Sequence, residues 1–165
     1  MSIYTKPIEE AKKLLEVNCL KEPPVNAKEL ALNAGLRVIF IDFSCIPNYQ
    51  NVSGFIDSNS NTMYVNANEP EKRQNFTIAH ELGHYILKHT KLPDYNMLYR
   101  NASLSGSNTS NLEKEANCFA ANLLVPDSFL KNIIKRYPDI TDSQLGNLFS
   151  VSDIVIRFRR NLLGV

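Results

Sequence analysis

Between residues 71 and 87 the apolar positions return every three or four residues. At about 100° per residue Phe76, Ile78, Ala79, Leu82, Gly83, Ile86 and Leu87 share one broad arc. That arc predicts a half-buried central helix, opened by Glu69 and Pro70, with Pro70 near the first helical position and Glu71 suiting the helix dipole. Gly83 interrupts it at a propensity cost of about 1 kcal/mol against alanine, so another backbone or helix is expected to come close there. The same spacing predicts a helix over Pro7 to Leu20 and a second helix over Asn111 to Val125 with Leu112, Ala116, Phe119, Ala120, Leu123 and Leu124 inward. Asn26, with Glu29 three residues on, opens a short helix that Gly35 closes.

The period changes between these helices. Leu36 to Phe43 is β-branched and aromatic enough for a buried strand, and 52–57 and 62–66 flank an Asn/Ser turn as a hairpin. The expected fold class is therefore α+β, a sheet of about three strands on a mainly helical chain. After Pro126, DSFLKNIIKRY reads as an amphipathic helix, and TDSQLGNLF and DIVIRFRRNLL as two more around a tight turn, resembling a helix-turn-helix.

Composition narrows the setting. A chain of 165 residues without repeats or linkers is expected to form one domain, 1–165, with 127–165 as its C-terminal helical region. A net charge of +1 carries no global nucleic-acid signature. The cysteines, Cys19, Cys45 and Cys118, are odd in number and far apart, which argues against a disulfide framework. With a charged N-terminus lacking an apolar core and no run of membrane-spanning length, a cytoplasmic protein is expected.

The chemistry concentrates in the central helix. His80 and His84, one turn apart on one face, can hold a single divalent metal, and Glu81 between them can reach a water beside it as general base: the H-E-x-x-H arrangement of zinc hydrolases. His89 would point to the opposite side if the helix continued, which favours a packing role for it. A catalytic zinc site needs a third protein ligand. Glu113 and Asn117, at i and i+4, share a face on the second helix, so Glu113 is the candidate ligand and Asn117 its hydrogen-bonding support. Glu115 lies about 200° away from Glu113 and is expected to serve the helix N-terminus. The alternative, that both glutamates only serve that N-terminus, stays open at this point.

RQNFTIAHELGHYIL, followed about thirty residues later by EKEANCFAANLLVP, resembles the ImmA/IrrE family of small bacterial metallopeptidases, over roughly residues 52–126 and more loosely at the ends. The resemblance implies zinc bound by His80, His84 and Glu113, the first glutamate of E-x-x-A-N, with Glu81 as general base. It also implies a minimal gluzincin-like core and a regulatory protein substrate such as a helix-turn-helix repressor. Valine before Pro126, where the family commonly has methionine, bears on packing only.

Three further expectations complete the reading. The stretch 91–110, with Tyr95 and Arg100, is long for a loop and reads as a mobile surface segment before a lid. Tyr85 and Tyr95 are candidates for an oxyanion donor, with nothing to fix either one. Arg157, Arg159 and Arg160 would give the last helix a basic face, for which packing or substrate docking is favoured over DNA readout. The competing class is a DNA- or protein-binding regulator whose metal is structural or absent, against which an intact Glu81 weighs.

Overall fold

The computed structural model describes residues 4–92 and 111–165. Seven α-helices and a three-stranded sheet are present among them: α1 (Thr5–Val17), α2 (Ala27–Asn33), β1 (Arg37–Ile41), β2 (Gly54–Asp57), β3 (Thr62–Asn66), α3 (Glu71–Ile86), α4 (Asn111–Leu124), α5 (Asp127–Arg136), α6 (Asp142–Leu148) and α7 (Asp153–Leu163). The fold is α+β, as the alternation of periods predicts. No described helix is long and apolar enough to cross a membrane.

The sheet order is β1-β3-β2. β2 and β3 form the expected antiparallel hairpin, with Phe55 opposite Tyr64 and Ile56 opposite Met63. Its turn is held by Asp57, whose carboxylate accepts from the Asn59 N–H at 3.0 Å and from the Ser60 hydroxyl at 2.5 Å. β1 runs parallel to β3, Val38 opposite Met63. Here the structure corrects the expectation of a buried strand: β1 has β3 as its neighbour on one side, and Ile39 and Phe40 are exposed. Its apolar run is buried at the flanks instead, through Leu36 and Phe43.

The core lies where α1 and α2 close over α3 and α4, with Ala11, Leu30, Ile78, Leu82, Phe119 and Leu123 among its buried residues. Two glycines record how tightly the central layer packs. A Cβ on Gly83 would stand 3.0 Å from Cδ1 of Phe119 and 3.3 Å from the Ala116 carbonyl oxygen, the close approach its place in the helix predicts. A Cβ on Gly54 would meet Thr77 Cγ2 at 2.6 Å, so only glycine lets β2 lie this close to α3.

The C-terminal helices are fixed by specific caps. Thr141 accepts from the Gln144 N–H while Gln144 Oε1 accepts from the Thr141 N–H, a full capping box at α6. Ser150 takes a left-handed conformation (φ 56°) in the tight turn to α7. The expected basic face of α7 does not form as one surface. Arg159 is buried, its Nε donating to the Val125 carbonyl at 3.0 Å and its guanidinium pairing with Asp127. Arg160 is paired with Asp142 at 3.0 Å, which leaves Arg157 exposed by itself. Burying one guanidinium to satisfy the end of α4 and the start of α5 joins the C-terminal helices to the rest of the fold.

Candidate metal centre

α3 and α4 meet along the face that carries both halves of the predicted site. His80 and His84, one turn apart, turn their Nε2 atoms toward each other at 3.0 Å. Glu113, in the first turn of α4, brings one carboxylate oxygen to 3.2 Å from His80 Nε2 and the other to 3.2 Å from His84 Nε2. The structure thus brings together His80, His84 and Glu113, whose donor atoms all lie within 4.8 Å of one another. Two imidazoles and one carboxylate match the donor chemistry of a three-ligand metal site that keeps a further position open.

Each imidazole is oriented from behind. His80 Nδ1 lies 2.9 Å from Asn117 Oδ1, an acceptor only, so the proton of the neutral ring belongs on Nδ1 and the lone pair on Nε2 faces the other donors. Asn117 therefore stands where its i+4 relation to Glu113 predicts. Glu81 is buried at 1% exposure. It lines a cleft of about 450 Å³ together with His80, Glu113, Asn117, Phe76 and Arg73.

His89 requires a correction. α3 does not continue through it: the helix closes at Ile86, Lys88 adopts a left-handed backbone (φ 66°), and a single 3-10 turn, His89–Lys91, follows. That reversal swings His89 back, buried, with its Nδ1 3.1 Å from Nδ1 of His84. Glu115 is corrected with it. It does not share the face of Glu113, as its angle predicts, but its Oε2 lies 3.0 Å from His89 Nε2, so it serves more than a helix terminus. The missing signal is Lys88: a turn into the left-handed region is legible at glycine or asparagine, not at lysine.

The cluster's electrostatics are set by burial against paired charge. For His80 burial alone would lower the pKa, but the hydrogen bond to Glu113 and the charges of Glu81 and Glu113 outweigh it and hold the pKa above 6.5. For His84 burial prevails, and the pKa falls to about 4 despite Glu113. Burial also lowers the pKa of His89, partly offset by its bond to Glu115. Glu113 is the reverse case: burial would raise it, yet its contacts with His80 and His84 hold its carboxyl well below the usual range. Of the two oxyanion candidates, Tyr85 packs half-buried against the core, and Tyr95 lies outside the described residues, as do 93–110 of the long inter-helix stretch.

Known proteins resemble this chain in sequence and in fold. Residues 31–161 match a peptidase family described as the IrrE N-terminal-like domain. The metallopeptidase ImmA of Bacillus subtilis (strain 168) is 28% identical over 108 residues, covering 66% of this chain and 61% of ImmA. A solved structure of a Mycobacterium tuberculosis transcriptional regulator superposes with a TM-score of 0.65 over 93% of this chain and 46% of its own, at 16% identity, a likeness of fold. The chain thus spans less than two thirds of either relative. With H-E-x-x-H and E-x-x-A-N facing each other across α3 and α4 and the family match covering most of its length, the chain belongs to the ImmA/IrrE metallopeptidase family.

Proposed function

We propose that this protein is a zinc-dependent endopeptidase. One observation carries the reading: the Nε2 atoms of His80 and His84 and the carboxylate of Glu113 converge on one point beside a cleft that Glu81 also lines. His80, His84 and Glu113 would hold the metal, and Asn117 would keep His80 turned toward it. Zinc there supplies Lewis-acid chemistry, easing deprotonation of a water and polarising a peptide carbonyl. Glu81 is the general base. Its carboxylate takes the proton as the water oxygen bonds to the carbonyl carbon, then passes it to the amide nitrogen as the C–N bond breaks. Burial of Glu81 keeps that proton transfer out of bulk water.

The substrate class follows by analogy with the family: a regulatory protein, a helix-turn-helix repressor of a mobile element or a stress response, in a cytoplasmic setting. A DNA-binding regulator with a structural metal is the other reading, favoured by the helix-turn-helix-like arrangement of α6 and α7. The commitment of Arg159 and Arg160 to intramolecular partners counts against it. Co-expression with a repressor encoded beside this protein's gene tests the proposal. Cleavage by the wild type and none by Glu81→Gln is expected; an intact repressor in both, with operator binding by this chain, would replace the peptidase reading.

A further inference from the structure

His84 has to present a bare Nε2 to the other two donors, so its single proton belongs on Nδ1. Behind metal-ligating histidines a carboxylate, a backbone carbonyl or a water usually takes that proton. Here the atom 3.1 Å away is Nδ1 of His89, another imidazole. An imidazole nitrogen can accept only if it is bare, so His89 in turn carries its proton on Nε2. That atom lies 3.0 Å from Glu115 Oε2, an acceptor suited to receive it. The proton positions along Glu115, His89 and His84 are thereby interdependent: reversing the tautomer of His89 sets N–H against N–H at one end and a lone pair against a carboxylate at the other. Both rings are buried, so solvent is poorly placed to substitute for a lost bond.

We infer that His89 and Glu115 are positioning residues: they form a two-step relay that fixes His84 in the tautomer the metal site needs. The inference rests on the proposed metal site and deepens it. The relay has a different character from the one-step hold of Asn117 on His80. It keeps the Glu115 carboxylate one imidazole further from a centre that already faces Glu81 and Glu113, so the orienting anion is added without a third carboxylate beside the donor atoms. It also explains why the chain reverses at Lys88, in a left-handed conformation that lysine seldom adopts: a continued helix would carry His89 to the other side.

The test is the ring-nitrogen NMR spectrum of protein labelled with 15N-histidine, recorded metal-free, together with zinc affinity by competition with a chromophoric chelator. The wild type should show His84 protonated on Nδ1 and His89 on Nε2. His89→Phe, which keeps a ring and removes both nitrogens, should leave His84 a mixture of tautomers. It should lower zinc affinity about 10- to 100-fold while one equivalent still binds. Glu115→Leu should do the same through His89. Glu115→Gln, whose amide oxygen still accepts, should keep the His89 tautomer and lose only about two- to fivefold, a rescue that a pure packing role would not produce. Glu115 is partly exposed, so its variants read the relay even where His89→Phe fails to fold. Unchanged His84 nitrogens and an affinity within about twofold of wild type in Glu115→Leu would overturn the relay. Failure of the wild type to bind zinc would instead overturn the metal site, and the metal-free spectrum would still decide the tautomers.

Discussion

His80 on α3 and Asn117 on α4 meet at 2.9 Å, Nδ1 to Oδ1, so each metal helix orients a functional side chain of the other. Asn117 sits one turn after Glu113, which means a single stripe of α4 supplies both a donor and the group that aims another donor. Asn117→Ala should therefore cost about 10- to 100-fold in zinc affinity with the fold intact. Asn117→Asp, which keeps an acceptor, should cost less. Chelator competition on both variants reads the difference, and equal affinities in Ala, Asp and wild type would remove Asn117 from the site.

Direct donors should behave more severely. Protein reloaded with zinc is expected to bind one equivalent, and His80→Ala or His84→Ala to lose it, because the two remaining donors no longer close a site. Glu113→Gln should weaken binding strongly by removing the anionic donor. Metal analysis after gel filtration checks all three; full stoichiometry surviving in both histidine variants would mean that the metal sits elsewhere.

Glu81→Gln separates chemistry from binding. The variant keeps its volume in a buried position and should retain zinc, while cleavage falls by at least about 10² to 10⁴, the usual worth of a positioned proton acceptor. Parallel measurement of bound zinc and turnover distinguishes this from loss of the site. Wild-type turnover in Glu81→Gln would require another base.

How much of this was legible before the structure depends on whether a feature is local. His80, His84 and Glu81 are one helical turn, and Glu113 and Asn117 another, so periodicity alone orients each set. The hairpin and Gly83 were readable for the same reason, each being stated by adjacent residues. The exposure of β1 is not legible, because strand order decides which strand is covered, and order is a long-range property that an apolar run does not encode. The burial of Arg159 is equally hidden, because helical spacing does not encode the Val125 carbonyl 34 residues earlier. The contact of His89 and Glu115 depends on one backbone angle at Lys88, which a lysine does not announce.

The contact at Gly83 gives a stability prediction. Replacing it with alanine gains about 1 kcal/mol of helix propensity, but the new Cβ lies 3.0 Å from the Phe119 ring, so the gain is offset by overpacking. Gly83→Val adds two more methyl groups to the same contact and should be clearly destabilising, by about 1–3 kcal/mol, with zinc affinity falling as α4 is pushed from α3. Chemical denaturation and chelator competition on the pair check this. A stable Gly83→Val with undiminished zinc affinity would show that the two metal helices can separate without harm.

Zinc uptake should be linked to pH through His80 in particular. In the metal-free cluster His80 keeps a proton above pH 6.5, because Glu113 and Glu81 outweigh its burial, whereas burial keeps His84 neutral down to about 4. Glu113 is already ionised, its carboxyl held low by the two histidines. Below that raised value, therefore, a metal has one proton to displace, and that proton is on His80. A raised pKa means the protonated form persists above the ordinary histidine value and disappears only as pH climbs through the raised one. Apparent zinc affinity should accordingly rise by about tenfold per pH unit below that value and level off above it. Calorimetry in two buffers of different ionisation enthalpy should find proton release on zinc binding that approaches one per zinc as pH falls below the raised value and falls toward zero in more alkaline buffer. Release of two protons near neutrality would place the second on His84 and contradict its burial, and affinity that falls with rising pH would reverse the assignment of His80 altogether.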